Sequence, residues 1–135
     1  MTSLEKDVSF FLAKLRANEF EEAFHGLSEL ESDVIPLLVN AFHEENDPSI
    51  RSELVRIISE FRSKKAIPFL KDVSTDPNSE VWRCAIDGLV ASGDRDALMA
   101  LKHIKSESEL YRSKPIVYVR WIDEACDQLE DRLNI

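Results

Sequence analysis

The residues able to do chemistry in this chain are few and scattered. His25 follows Glu21 and Glu22 at four and three positions, a helical spacing that would set an imidazole beside a carboxylate as an acid–base pair. A charge-assisted surface contact explains the same spacing without catalysis. Cys84 and Cys126 stand 42 positions apart, each inside a helical pattern, so no disulfide framework is expected. Neither cysteine has a second ligand two to four residues away, and His25, His43 and His103 occur singly, so no metal site is expected. No nucleophile motif accompanies a Ser-His-Asp or Cys-His arrangement. The expectation is a chain with no catalytic residues, no cofactor and no metal.

Composition narrows the classes further. The 135 residues carry 26 acidic and 17 basic side chains, a formal charge of −9. Nucleic-acid binders normally spread a basic face over the molecule, so no nucleic-acid partner is expected, and helical-repeat DNA glycosylases are set aside on the same ground. Three glycines and five prolines are too few for a turn-rich sandwich or a phosphate-cradling loop. No apolar run approaches the roughly 18 residues that span a bilayer. Met-Thr-Ser-Leu-Glu-Lys-Asp carries both signs of charge and lacks the apolar core of a signal peptide. A soluble, cytoplasmic, single-domain protein over residues 1–135, monomeric when free, is the expectation.

The elements are legible from periodicity and punctuation. Thr2 and Glu5 form a capping box ahead of Leu4, Val8, Phe11 and Leu15. A second helix is expected from about Glu19 to Leu30, and a third from about Asp33 to His43 with Pro36 in its first turn. Asp47 caps a fourth, with Pro48 at its first position and Ile50, Leu54, Ile57, Ile58 and Phe61 along one side. That pattern then repeats. A shift of 31 positions sets Ile50 on Val81, Leu54 on Ala85, Ile58 on Leu89, Ala66 on Ala97 and Leu70 on Leu101. Each block follows an Asp-Pro pair, Asp47-Pro48 and Asp76-Pro77. Two helices recurring every 31 or so residues are the mark of a helical solenoid.

Val81-Trp82-Arg83-Cys84-Ala85-Ile86-Asp87-Gly88-Leu89, with Gly93-Asp94 and Ala97-Leu98 after it, resembles the short HEAT repeat of the phycobilisome-lyase type. Residues 33–61 and 64–91 match as whole repeats, 4–30 more loosely, and 95–131 with a ten-residue insertion. The resemblance implies an all-α fold, a right-handed α-α superhelix of about four helix pairs with a long C-terminal capping helix. It is nearly silent on function, since such repeats serve scaffolds, inhibitors, adaptors and a few enzymes. Arg51 occupies the basic position of that pattern, but Trp82 replaces it one repeat later, which interrupts any ladder of Asp and Arg between repeats. Gly26 and Gly88 take equivalent small positions and are expected to let paired helices approach closely. Cys84 takes a small core position, which makes it a poor tetrapyrrole handle and weakens a bilin-lyase reading. Lys105 to Lys114 reads as an exposed polar connection, and Tyr118, Trp121, Ile122, Ala125 and Leu129 as the apolar stripe of the cap.

Charge is distributed unevenly. Nine acidic residues and no Lys or Arg lie between Ala17 and Ile50. Residues 51–71 reverse the sign with six basic side chains against Glu53 and Glu60. In HEAT-like solenoids the second helix of each pair lines the concave surface. Projected at about 100° per residue, those helices present Glu21, His25, Ser28 and Glu29, then Ser52, Arg56 and Ser59, then Arg83 and Asp87, then Asp123, Asp127 and Glu130. Phe24, Val55, Ile86 and Val90 fall near the same face, outside the need of the core. Apolar anchors ringed by charge suit a protein interface. The expected partner is therefore a basic protein, most sharply a toxin nuclease domain met by an immunity- or antitoxin-type inhibitor. The alternatives are an assembly adaptor or a bilin-lyase-like protein. The expected partner-binding residues are Glu21, Phe24, His25, Glu29, Arg56, Arg83, Asp87, Asp123, Asp127 and Glu130.

Overall fold

The computed structural model describes residues 2–107 and 115–135. Its helices are α1 (Ser3–Arg16), α2 (Phe20–Ser28), α3 (Ile35–Glu44), α4 (Pro48–Glu60), α5 (Ile67–Val73), α6 (Ser79–Ser92), α7 (Arg95–Ser106) and α8 (Ile116–Leu133). Short 3-10 turns, Ser32–Val34 and Lys64–Ala66, lead into α3 and α5. Among the described residues there is no strand. The expected connection over 105–114 lies mostly outside the described residues; α7 itself continues through Ser106.

The boundaries follow local chemistry. The first backbone donors of a helix have no partner inside it, and a short polar side chain supplies one. Thr2 Oγ1 accepts from Glu5 N–H at 3.1 Å, Asp47 from Ser49 N–H at 2.8 Å, and Asp94 from Ala97 N–H at 2.9 Å. Pro36, Pro48 and Pro68 sit in first turns, where a missing N–H costs nothing. Gly93 closes α6 in the left-handed region at φ 69°. The two Asp-Pro pairs differ in use. Asp47-Pro48 starts α4 directly, whereas Asn78 caps α6, accepting from Glu80 and Val81, and Asp76 is freed for another task.

That task is to join repeats. Asp76 receives Arg51 Nη2 at 2.9 Å, and the same guanidinium covers the Phe42 ring at 4.4 Å. One rung of the Asp–Arg ladder is therefore present. The next repeat has Trp82 instead, stacked edge-on against Tyr118 and Trp121 of α8 with ring centres 4.9 and 6.0 Å away.

The helices pair as α1–α2, α3–α4, α5–α6 and α7–α8, and the second members pack in succession, α2 on α4, α4 on α6, α6 on α8. The result is an α-solenoid with one continuous core running from Val8 to Leu129. Val55 and Ile86, expected on the concave face, are fully buried in that core instead. α4 and α6, which carry these residues, each touch a pair partner and a second helix on either side, so their apolar arc is wider than a two-helix projection allows. Gly26 behaves as expected: a Cβ there would overlap the Phe11 ring of its pair partner α1. At Gly88 the close approach is to Ser59 on α4, between successive repeats rather than within one.

Candidate protein-binding groove

Three cavities adjoin along the second helices. The first, of about 290 Å³, lies between α2 and α4 and is walled by Phe20, Glu21, Phe24, His25, Glu53 and Arg56. The second, about 300 Å³, shares Phe24 and Arg56 and reaches α6 at Cys84, Asp87, Gly88 and Ala91. The third, about 210 Å³, shares Asp87 and continues to Trp121, Glu124 and Gln128 on α8. Because each cavity shares residues with the next, they form one groove across four helices.

Arg56 holds the centre. Its guanidinium lies 5.0 Å from the Phe24 ring centre, and its Nη1 reaches Glu53 Oε2 at 3.4 Å. Half of Arg56 remains in solvent, so that pair contributes little to stability, on the order of 0–1 kcal/mol. Glu53 is 8% exposed, and burial pushes its carboxyl above the ordinary carboxylate range against the pull of Arg56. The Asp87 carboxyl is pushed up for the same first reason, while the Trp121 indole N–H favours its charged form. Cys84 is half-buried in the groove wall, not in the core; burial raises its thiol, with Asp87 next in effect, so it is not an activated nucleophile. Five carboxylates (Glu21, Glu53, Glu60, Asp87 and Glu124) face two guanidiniums, Arg56 and Arg62, in the groove lining.

A carboxyl raised by folding stabilises the fold in its protonated form. That contribution is full below its unfolded-state value and is lost as pH rises through the folded-state value. Glu53→Gln is therefore expected to melt above the wild type at pH 7. The gap should close as pH falls below about 4.3, where the unfolded-state glutamate protonates. Thermal melts across pH test this, and a gap independent of pH would contradict it.

The structure brings Glu21, Phe24, His25, Arg56 and Asp87 together in the groove, as the helical projection placed them. The remaining expected residues lie elsewhere. Glu29 caps the exposed C-terminal end of α2. Arg83 lies at the rim, with its guanidinium 5.4 and 5.1 Å from the Trp82 and Trp121 ring centres. Asp123 and Glu130 turn toward α7, where they pair with Lys105 at 2.9 Å and Lys102 at 3.4 Å. Asp127 is exposed and does not line the groove. The residues of α8 that do are Trp121, Glu124 and Gln128. Projection from the apolar stripe alone pointed opposite the core, but the groove lies on the flank of α8 that faces α6. The spacing 121, 124, 128 carried the signal, since it runs along one edge of that stripe.

Among the described residues no group of three or more His, Cys, Asp or Glu side chains is placed to hold a metal ion. No described helix is long and apolar enough to cross a membrane. No curated protein and no solved structure matches the chain. Residues 35–116 match the family described as HEAT repeats, whose members generally form protein-binding surfaces and are typically non-enzymatic scaffolds. That match spans more than half of the sequence and coincides with the α3–α7 stack, so the chain belongs to the HEAT-repeat family.

Proposed function

We propose that this HEAT-repeat chain is a non-catalytic binding module whose groove docks a basic protein, most sharply as an immunity- or antitoxin-type inhibitor of a toxin nuclease. The observation that carries the reading is the groove lining, where five carboxylates and the rings of Phe20, Phe24 and Trp121 outnumber two guanidiniums, Arg56 and Arg62. Nucleases present a basic cleft built for phosphates, and carboxylates on a rigid surface can occupy it, steer rapid association and exclude substrate. Size agrees with a protein segment as ligand. Three helix-to-helix spacings of about 9 Å give a groove roughly 27 Å long, enough for about eight extended residues.

The test is affinity capture from lysate of the source cells at low salt, elution at high salt, and a nuclease assay of the eluate with and without added protein. One basic nuclease, released by salt and silenced stoichiometrically, is the expected result. Several unrelated assembly subunits with unchanged activity would replace the inhibitor by an adaptor. Recovery of nothing at either salt would overturn the reading. Glu21→Lys with Glu124→Lys, one at each end of the groove, is expected to weaken capture at least about tenfold and to flatten its salt dependence. Asp127→Lys, outside the groove, serves as the control.

A further inference from the structure

The acidic residues near α8 divide into two sets. Asp123 and Glu130 are neutralised by Lys105 and Lys102 of α7. Asp87 and Glu124, on facing helices of the third cavity, form no ion pair with a basic side chain among the described residues, and the Trp121 indole N–H reaches Asp87. The cavity between them is not merely acidic. Val90, backed by the buried side chains of Ile86 and Ala125, gives it an apolar floor, and Trp121 gives it an aromatic wall. Trp121 already takes a cation on its ring, since Arg83 lies 5.1 Å from the ring centre at the rim.

An apolar floor, an indole wall and two unneutralised carboxylates match one kind of side chain. Long cationic side chains lay a methylene stem along apolar surface and keep the charge at the polar end. We infer that this cavity takes one lysine or arginine side chain of the partner, its stem on Val90 and the Trp121 indole and its cation between Asp87 and Glu124. The inference rests on the reading of the groove as a site for a basic protein, and it assigns that protein's anchoring residue. At about 210 Å³ the cavity holds one such side chain, so the anchor is a single residue, not a basic run.

The probe is capped arginine, Nα-acetyl-arginine N-methylamide, titrated into the labelled protein while the Trp121 indole N–H resonance is followed. Capped citrulline, which has the same shape and no charge, is the comparison. The titration runs to about 50 mM, because a single side chain in one cavity binds in the millimolar range. A saturable shift with arginine, absent with citrulline and at least tenfold weaker in Glu124→Gln, is expected. Trp121→Phe identifies the resonance, and Asp127→Asn should leave the shift intact. Glu124 is exposed, so its variant folds; Asp87→Asn gives a second variant, with its fold checked by circular dichroism. No saturable shift, an equal shift with citrulline, or a shift that survives both variants would overturn the inference. Capture that is lost with Glu21→Lys but indifferent to Glu124→Gln would overturn this subsite and leave the groove reading standing. A subsite intact toward capped arginine in a protein that captures nothing would do the reverse.

Discussion

Replacing Tyr118 by alanine is expected to lower the stability of the fold by about 3–5 kcal/mol, the range for removing a fully buried aromatic ring. Among the described residues Tyr118 is the largest completely buried side chain, and three observations make it a keystone rather than filler. Its ring meets Trp82 edge-on, with centres 4.9 Å apart, where the repeat pattern would otherwise have an arginine. Its hydroxyl donates to the Ser74 carbonyl at 2.8 Å, across 44 positions of sequence, which ties α8 to the turn after α5. Ser74 is itself fully buried, so its carbonyl has no solvent to fall back on. Tyr118→Phe keeps the ring and should cost only about 1–2 kcal/mol, the penalty for one buried acceptor left unmet. At about 4 °C per kcal/mol for a chain of this size, the alanine variant should melt roughly 12–20 °C lower and the phenylalanine variant about 4–8 °C lower. The chain's two tryptophans, Trp82 and Trp121, both lie against this joint, so their fluorescence reports it directly. A Tyr118→Ala protein that melts within a few degrees of the wild type would mean that α8 is not the closing element of the core.

Repeat architecture was legible because it rests on local rules that repeat. The caps at Thr2 and Asp47 and the prolines in first turns each act within a few residues and are where the spacing placed them, and the helix pattern recurs after 31 residues. The groove was legible on the interior repeats for the same reason: α4 and α6 each lie between two other second helices, and a projection from their apolar stripes sets Arg56 and Asp87 on the open side. It failed at α8, where there is a neighbour on one side only. The open flank of a terminal helix is decided by which side α6 and α7 occupy, a tertiary fact. Thus Asp123 and Glu130 went to α7 while Glu124 and Gln128 came to the groove. Val55 and Ile86 misled for a related reason, since contact between successive repeats buries residues that pairing within a repeat would leave open.

That contact between repeats sets the second large effect. Gly88→Val is expected to destabilise the protein by about 3 kcal/mol, at the upper end for overpacking a tight interface. A Cβ on Gly88 would overlap the Ser59 hydroxyl and lie 2.9 Å from its Cβ and 3.3 Å from Leu70 Cδ1. Ser59 cannot simply turn away without loss, because its hydroxyl donates to the Val55 carbonyl at 2.7 Å. Gly88→Ala should still be net destabilising by about 1–2 kcal/mol, even though leaving glycine in a helix gains up to about 1 kcal/mol. Combining Gly88→Ala with Ser59→Gly moves the side chain from one helix to the other and removes the clash. The pair should recover most of the loss, with a coupling energy of about 1–2 kcal/mol in a double-mutant cycle. A Gly88→Ala variant as stable as the wild type, with no coupling to Ser59→Gly, would show instead that the two helices have slack and can move apart. In that case Gly88 would matter as the floor of the central cavity, and Gly88→Val would fold as well as the wild type yet lose capture of the partner.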